Sequence, residues 1–114
     1  MKQLIVMRTD LGMRKGKMIA QGAHASMKVL VDNPGHPSIV SWLDQSFTKI
    51  AVGISGETEL LMLYDQALKR NMLASLIIDN GATEFNGVRT RTCIAIGPAP
   101  DEQFVGLTDH LKLL

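Results

Sequence analysis

Short apolar runs alternate in this chain with longer segments in which apolar residues recur at helical spacing, and this alternation limits the fold more than any other feature. We interpret four of the runs as strands, at residues 4–7, 49–54, 74–78 and 92–96. The helical patterns lie at residues 17–31, 38–46, 57–70 and 101–107. Strands that alternate with helices favour right-handed crossovers and a sheet covered on both faces. The sequence therefore predicts an α/β fold with three layers, α/β/α, around a four-stranded sheet.

The connection between the third and fourth predicted strands breaks this alternation. About a dozen residues join the two strands, and the segment has no helical pattern. Such a connection suits a long antiparallel loop better than a crossover, so we expect a mixed, mostly parallel sheet. Ligands of open α/β sheets sit beyond the carboxyl ends of the strands. Asp10 and Asp79 both follow such ends, which makes that edge the first place to look for a site.

Length and composition indicate one domain over residues 1–114 of a soluble, cytoplasmic protein. A chain of 114 residues is near the commonest domain size. Cys93 is the only cysteine, and its apolar neighbours predict a buried free thiol in a reducing compartment. Four consecutive apolar residues near the start are too few for a signal peptide or a membrane span, so we expect no membrane partner.

Charge is distributed unevenly along the chain. Residues 1–36 hold six Lys or Arg against two acids, a net charge of +4, and the remainder carries −3. This polarity predicts one basic face. Because only 4% of the residues are aromatic, the chain lacks the stacking platform of single-strand binders. A nucleic-acid partner would therefore be held through its phosphates.

The positive charge is most concentrated where the first predicted strand turns into a helix. Residues 9–17 contain two glycines and three cations, Arg14, Lys15 and Lys17. The helix dipole already makes this end positive, so each cation costs about 0.3 to 1 kcal/mol of helix stability unless an anion binds. Glycine lets the backbone approach a ligand, and the first-turn N–H groups point outwards. We interpret the turn as an anion site with phosphate as the expected ligand; a solvated basic turn is the alternative.

One face of the first helix continues this basic turn. Polar residues recur there at intervals of three and four and share a face: Lys17, Gln21, His24 and Lys28. The opposite side is small and apolar, and we expect it to pack on the sheet: Ile19, Ala20, Ala23, Met27 and Leu30. Together with Lys15, the polar row suits a phosphodiester backbone without base readout. A helix face that is merely exposed to solvent would have the same composition.

Three common chemistries do not fit the sequence. Residues 12–18 resemble a P-loop but are one residue short, and Met18 stands where a Ser or Thr would hold Mg²⁺. No Gly-x-Ser-x-Gly motif is present to anchor a serine-hydrolase triad. One cysteine and three scattered histidines do not make a zinc site, so we expect no metal.

A candidate acid follows the third predicted strand. Asp79 precedes an Asn-Gly pair, where a carboxylate often only accepts backbone N–H groups and forms a turn. If Asp79 instead meets Lys17 across the mouth of the sheet, it can act as a general base or orient a water, while Lys17 stabilises an oxyanion. Thr83 and Thr92 would then offer hydroxyls to water or substrate. Both interpretations remain open at this point.

Several short motifs, in order along the chain, carry a family resemblance. They are Arg8-Thr9-Asp10-Leu11, Lys15-Gly16-Lys17, Ala20-Gln21 with Ala23-His24-Ala25, Asp79 with Gly81 and Thr83-Glu84, residues 95–100, and the closing residues 110–114. With these motifs the chain resembles the archaeal and eukaryotic type of peptidyl-tRNA hydrolase over almost its whole length. The resemblance implies a mixed four-stranded α/β/α domain, often dimeric. It also implies hydrolysis of the ester between a peptide and the 3′ ribose of tRNA, without a metal or organic cofactor.

The resemblance further implies roles for individual residues. The positions of the family's proposed active site correspond here to Lys17, Asp79, Thr83 and Thr92. Its neighbouring tRNA-facing surface corresponds to Lys15, Gln21 and His24. We add Arg14 and Lys28 from the charge pattern; Arg14 stands where the family commonly has glycine. We therefore expect a homodimeric hydrolase of peptidyl-tRNA, and the alternative is a non-catalytic RNA-binding or regulatory module with the same basic face.

Overall fold

The computed structural model describes residues 1–82 and 84–114. Its strands are β1 (Lys2–Arg8), β2 (Lys49–Ile54), β3 (Ala74–Asp79) and β4 (Thr90–Ala99). Its α-helices are α1 (Lys15–Asp32), α2 (Pro37–Asp44) and α3 (Glu57–Lys69). Two short 3-10 turns lie at Phe85–Gly87 and Asp101–Phe104. The predicted strands and helices are confirmed, except that the last segment, expected as a helix at 101–107, is one of these 3-10 turns.

Local chemistry sets the start of α2 and α3 but not that of α1. Pro37 begins α2, and the Nδ1 atom of His36 accepts a hydrogen bond from the Ser38 N–H. α3 has two glutamates in its first turn, where the helix dipole favours acids. α1 begins after Arg14 without a side-chain cap and without an acid in its first turn. The start of α1 therefore keeps positive charge and uncapped N–H groups together.

The sheet is mixed, with the strand order β2-β1-β4-β3. β1 and β2 are parallel, whereas β4 runs antiparallel to both of its neighbours, β1 and β3. Three of the four strands therefore share a direction, and the antiparallel connection expected between β3 and β4 is confirmed. Only one of the three strand pairings is parallel, which corrects the expectation of a mostly parallel sheet. The reason is that the one reversed strand lies inside the sheet, so it makes two of the pairings antiparallel.

Helices cover both faces of the sheet, which confirms the three layers. α3 packs on one face, where its buried residues Leu60, Leu63 and Ala67 meet Val6 and Ile94. α1 and α2 cover the other face, and their core is built on Met7, Cys93, Ala95, Val29 and Ile39. Leu63 is buried, whereas the apolar side chain of Leu68 is exposed. The contact line follows residues 60, 63 and 67, and position 68 lies about 100° around the helix from position 67.

α1 packs on the sheet through a face different from the expected one. The buried residues of α1 are small or polar: Gln21, Gly22, Ala25, Ser26 and Val29. Ile19 and Met27, which we expected against the sheet, are 73% and 64% exposed. Hydrogen bonds make the polar contact face possible, because the Ser26 hydroxyl donates to Gln3 and the Ser75 hydroxyl donates to the Ala25 carbonyl at 2.7 Å.

The two edges of the sheet differ. The chain end covers β2, where the Gly53 N–H donates to the Lys112 carbonyl at 2.9 Å and the Leu114 N–H to the Ala51 carbonyl at 3.0 Å. Among the residues that the structure describes, β3 forms the opposite edge and pairs only with β4. No α-helix in the described ranges has the length and apolar character needed to cross a membrane.

Candidate active site

An ion pair between Lys17 and Asp79 joins the start of α1 to the carboxyl end of β3. The Lys17 Nζ atom lies 2.7 Å from Asp79 Oδ1, and the two side chains are only 14% and 11% exposed. The second carboxylate oxygen of Asp79 accepts the Gly81 N–H at 2.9 Å. The hydrogen bond from Lys17 is the main cause that lowers the pKa of Asp79, and it outweighs the opposing effect of burial. Asp79 is therefore a carboxylate at neutral pH, directed at an ammonium group.

Gln21 connects this ion pair to Thr92. The Nε2 atom of Gln21 lies 3.4 Å from Asp79 Oδ1, and its Oε1 atom accepts a hydrogen bond from the Thr92 hydroxyl. Gln21 is buried, which corrects our placement of this residue on an exposed, tRNA-facing row. Its polar ends are occupied inside the protein, so helical spacing alone misled us. Thr92 is fully buried and its hydroxyl donates to Gln21, which corrects the expectation that this hydroxyl is offered to water or substrate.

Cys93 is a buried free thiol next to Gln21 and Thr92. Its Sγ atom donates to the Gln21 carbonyl, and burial raises the pKa of the thiol to about 11. The expectation of a buried free cysteine is confirmed. A thiol with such a pKa stays protonated at neutral pH and is a poor nucleophile.

Phe85 borders the ion pair, although no pattern in the sequence indicated a role for it. The Lys17 Nζ atom lies 5.7 Å from the centroid of the Phe85 ring, within the range of a cation–π contact. Phe85 and Asn86 both have left-handed backbone angles, with φ values of 53° and 50°. Only the path of the loop brings this ring to Lys17, and loop paths have no periodic signature in a sequence. The predicted site residue Thr83 falls outside the described residues.

The basic residues predicted for ligand binding surround the start of α1. Arg14 is the N-cap residue, and both Arg14 and Lys15 are exposed. His24 and Lys28 are exposed further along the helix, where Lys28 Nζ pairs with Asp32 at 3.1 Å. The structure thus places Gln21 inside the protein, while Arg14 and Lys15 before it and His24 and Lys28 after it are exposed.

Arg8 is a second residue that the sequence analysis left without a role. It is buried and makes a bidentate ion pair with Asp10, at 3.0 Å and 2.7 Å. Its third contact is a donated bond to the Arg91 carbonyl at 3.0 Å, next to Thr92 in β4. Asp10 therefore anchors the loop before α1, and the hydrogen bond from Arg8 lowers the pKa of its carboxyl group. The sequence held one signal for this contact, because Arg8 is a charged residue at the end of an apolar strand and stands two positions before Asp10.

The cluster has the components of acid–base chemistry on a polar bond. The Asp79 carboxylate and the Lys17 ammonium lie in contact and are both partly exposed. Gln21 holds the carboxylate from the interior of the protein. Charged groups placed in this way can orient a water molecule and stabilise an oxyanion. Among residues 1–82 and 84–114, no group of three His, Cys, Asp or Glu side chains is placed to hold a metal ion.

Comparison with known proteins gives a consistent result over the whole chain. The family described as peptidyl-tRNA hydrolase PTH2 matches residues 1–114. The chain is 41% identical to the peptidyl-tRNA hydrolase of Methanocaldococcus jannaschii over 100% of both chains. It is 39% identical to that of Sulfurisphaera tokodaii, over 99% of this chain and 98% of the relative. A probable peptidyl-tRNA hydrolase 2 of Dictyostelium discoideum is 38% identical over 98% of this chain and 54% of its own length.

Proposed function

This chain belongs to the peptidyl-tRNA hydrolase PTH2 family, and from that membership we infer that it hydrolyses the ester bond between a peptide and the 3′ ribose of tRNA. We propose that residues 1–114 do so as a single domain in the cytoplasm. The observation that carries the assignment to a site is the Lys17–Asp79 ion pair at the carboxyl end of the sheet. Ligands of open α/β sheets bind at this end.

The reaction follows from the charges of this pair. Asp79 orients a water molecule, which attacks the ester carbonyl carbon and gives a tetrahedral intermediate. Lys17 stabilises the negative charge on the former carbonyl oxygen. The bond to the ribose oxygen then breaks, and the proton lost by the water ends on that oxygen, which leaves a free tRNA and a peptide acid. Because its pKa is lowered, Asp79 is a weak base, so orienting the water and holding Lys17 are its main contributions.

The positions of Lys17, Gln21 and Thr92 suggest a division of roles. Lys17 and Asp79 touch the substrate, whereas the buried Gln21 and Thr92 act as positioning residues that fix the Asp79 carboxylate. Thr83 keeps its proposed catalytic role on the basis of the family resemblance. We do not place Gln21 on the tRNA-binding surface, because both ends of its amide are engaged inside the protein.

We propose that tRNA phosphates bind at the start of α1. Arg14 and Lys15 are exposed beside a first turn that has neither an acid nor a side-chain cap. Positive charge and free N–H groups at a helix start attract phosphate. His24 and Lys28 extend this surface along the helix, although Lys28 shares its charge with Asp32.

We also propose a homodimer, formed through an apolar groove beside α1. The groove has a volume of about 470 Å³, and its lining includes Ile5, Trp42 and Phe47. Ile19, Met27, Phe47 and Leu114 border it and are 73%, 64%, 47% and 52% exposed. They present on the order of 400 Å² of apolar surface, which is the size of the largest apolar patch on a typical monomer, a patch that is often functional. In a two-fold dimer the same patch of both copies meets, so the protruding side chains of one copy can enter the groove of the other.

Hydrolysis of an N-blocked aminoacyl-tRNA tests the function. We expect release of N-acetyl-aminoacid from N-acetyl-aminoacyl-tRNA, at the same rate with and without EDTA. Binding of the tRNA without release would contradict the hydrolase and support the alternative of a non-catalytic RNA-binding module. The ion pair favours the enzyme, because a protein that only binds phosphate has no use for the Asp79 carboxylate, which repels its ligand.

A further inference from the structure

The outer edge of β3 is open along its length. In the described residues, 1–82 and 84–114, no backbone group of residues 74–78 forms a hydrogen bond outside the ladder with β4. The strand reads Ala-Ser-Leu-Ile-Ile-Asp and contains neither the proline nor the lysine that often protects an edge. An unpaired edge of this kind is a template for one more strand.

The opposite edge shows that the exposure of β3 is not a general property of this sheet. There the closing residues of the chain bond to Gly53 and Ala51 and cover β2. β3 is also held on both faces, because the Ser75 hydroxyl bonds to α1 at Ala25 while Ala74 and Leu76 pack toward α3. The open edge is therefore a fixed surface, which lowers the entropy cost of binding a partner.

The open strand leads directly into the candidate active site. Its last residue is Asp79, whose carboxylate meets Lys17 at 2.7 Å. A ligand strand on β3 therefore has one end at the reacting groups. In peptidyl-tRNA the ester is formed by the carboxyl end of the peptide, so the carboxyl end must lie at Asp79.

We propose that the peptide part of the substrate binds as an added strand along β3, parallel to it, with its carboxyl end at Asp79. This inference rests on the proposed function. Parallel pairing is required because β3 also runs toward Asp79. Peptides of every sequence share only their backbone, and pairing with a strand edge recognises the backbone through N–H and C=O groups. The six residues of β3 accommodate a peptide segment of about five residues, roughly 17 Å long.

Substrates of different peptide length test the proposal. We expect KM to fall at least about fivefold from N-acetyl-alanyl-tRNA to N-acetyl-pentaalanyl-tRNA, because several main-chain hydrogen bonds are added. We expect kcat to change less than about twofold, because hydrogen bonds that are equally strong in the ground state and the transition state lower KM without raising kcat. Methylating alternate peptide nitrogens gives a matched pair of substrates. Methylation of one set should restore the higher KM, while methylation of the other set should not, because N–H groups of a strand alternate in direction.

A KM that does not depend on length, or equal effects of the two methylated sets, would overturn the proposal while leaving the hydrolase intact. Hydrolysis of N-acetyl-alanyl-tRNA reports on the function alone, so the two failures are distinguishable. A second measurement does not need turnover: amide NMR shifts with pentaalanine joined to 3′-amino-3′-deoxyadenosine by a stable amide. We expect shifts along residues 74–79 and none along the covered strand β2; shifts on neither strand would contradict the inference.

Discussion

At the residue scale, the ionisation of Asp79 depends on Lys17. The Lys17 ammonium holds the pKa of this carboxyl below its ordinary value of 3.8. The lowered pKa means that the ion pair stabilises the folded protein above about pH 4, and that this stabilisation is lost as the pH falls through the pKa of the folded state.

We predict that Lys17→Ala raises the pKa of Asp79, because the residue loses its main hydrogen bond while burial still opposes the charged form. NMR of the side-chain carboxyl carbon of Asp79 across pH 2 to 7 measures this pKa. Lys69→Ala is the control, because it removes a lysine from an exposed ion pair, that with Asp65.

Gln21 offers a second test at this scale, because its two possible roles predict opposite results. We expect Gln21→Ala to lower kcat by at least about tenfold, since the Asp79 carboxylate loses its support. Its Kd for tRNA should stay within about twofold, because the side chain is buried.

Lys15→Ala is the matched control for Gln21→Ala. It should weaken tRNA binding and reduce the slope of log Kd against the logarithm of the salt concentration by about one, because one phosphate contact is lost. A Gln21 variant that weakens tRNA binding as much as the Lys15 variant would restore the original assignment of Gln21 to the tRNA surface.

The sequence left two interpretations of Asp79 open, and the structure contains both contacts: an ion pair with Lys17 and a bond accepted from the Gly81 N–H. Both residues lie near the carboxyl ends of strands, which made their meeting a reasonable hypothesis from the sequence, whereas the surroundings of the pair had no such signal. Gln21 was misplaced because helical spacing gives a face but not the direction in which that face points. Phe85 and Arg8 were missed because a loop path and a buried guanidinium depend on contacts that are distant in the sequence.

At the scale of elements, α1 has three faces where the hydrophobic pattern indicated two. The contact face is small and polar, one flank carries Lys17 and His24, and the other carries Ile19 and Met27. The apolar flank does not reach the sheet, because hydrogen bonds from Ser26 and Ser75 fix the helix on its small residues. A hydrophobic pattern identifies an apolar helix face that tends to be buried, but it does not show which part of the protein, or which partner, buries that face.

Gly22 lies on this contact face and provides a test of how closely α1 packs. A Cβ atom at Gly22 would meet its nearest neighbour, the Ile5 side chain, at 3.6 Å, an ordinary contact distance. We predict that Gly22→Ala stabilises the protein by about 0.5 to 1 kcal/mol, because alanine is the better helix former. Urea unfolding measures the change. A loss of stability would show that α1 lies closer to β1 than the structure indicates.

At the scale of the whole molecule, the layers were predictable and the neighbours within the sheet were not. Alternating strands and helices require covered faces, and the antiparallel return of β4 follows from the loop that precedes it. The insertion of β4 between β1 and β3 has no local signature, since it depends on pairing across the sheet. The open edge at β3 could therefore be recognised only in the folded chain.

The assembly is tested by its mass. We predict that the wild type has twice the 12.5 kDa mass of one chain in analytical ultracentrifugation, and that Ile19→Glu gives the mass of one chain. A buried glutamate in the apolar groove lacks a partner, so the interface loses its stability. Val105→Glu is the matched control, because Val105 is 66% exposed but does not line the groove. A monomeric wild type, or a dimer that tolerates Ile19→Glu, would contradict the proposed interface.

Asp79→Asn shows whether the Lys17–Asp79 pair carries out the hydrolysis of the peptidyl-tRNA ester. The amide has nearly the same shape as the carboxylate but lacks its charge. With enzyme in excess over N-acetyl-aminoacyl-tRNA, we expect the single-turnover rate to fall by at least about tenfold. The Kd for the tRNA should remain within about twofold. An unchanged rate at saturating enzyme would show that the ester is hydrolysed without the Asp79 carboxylate.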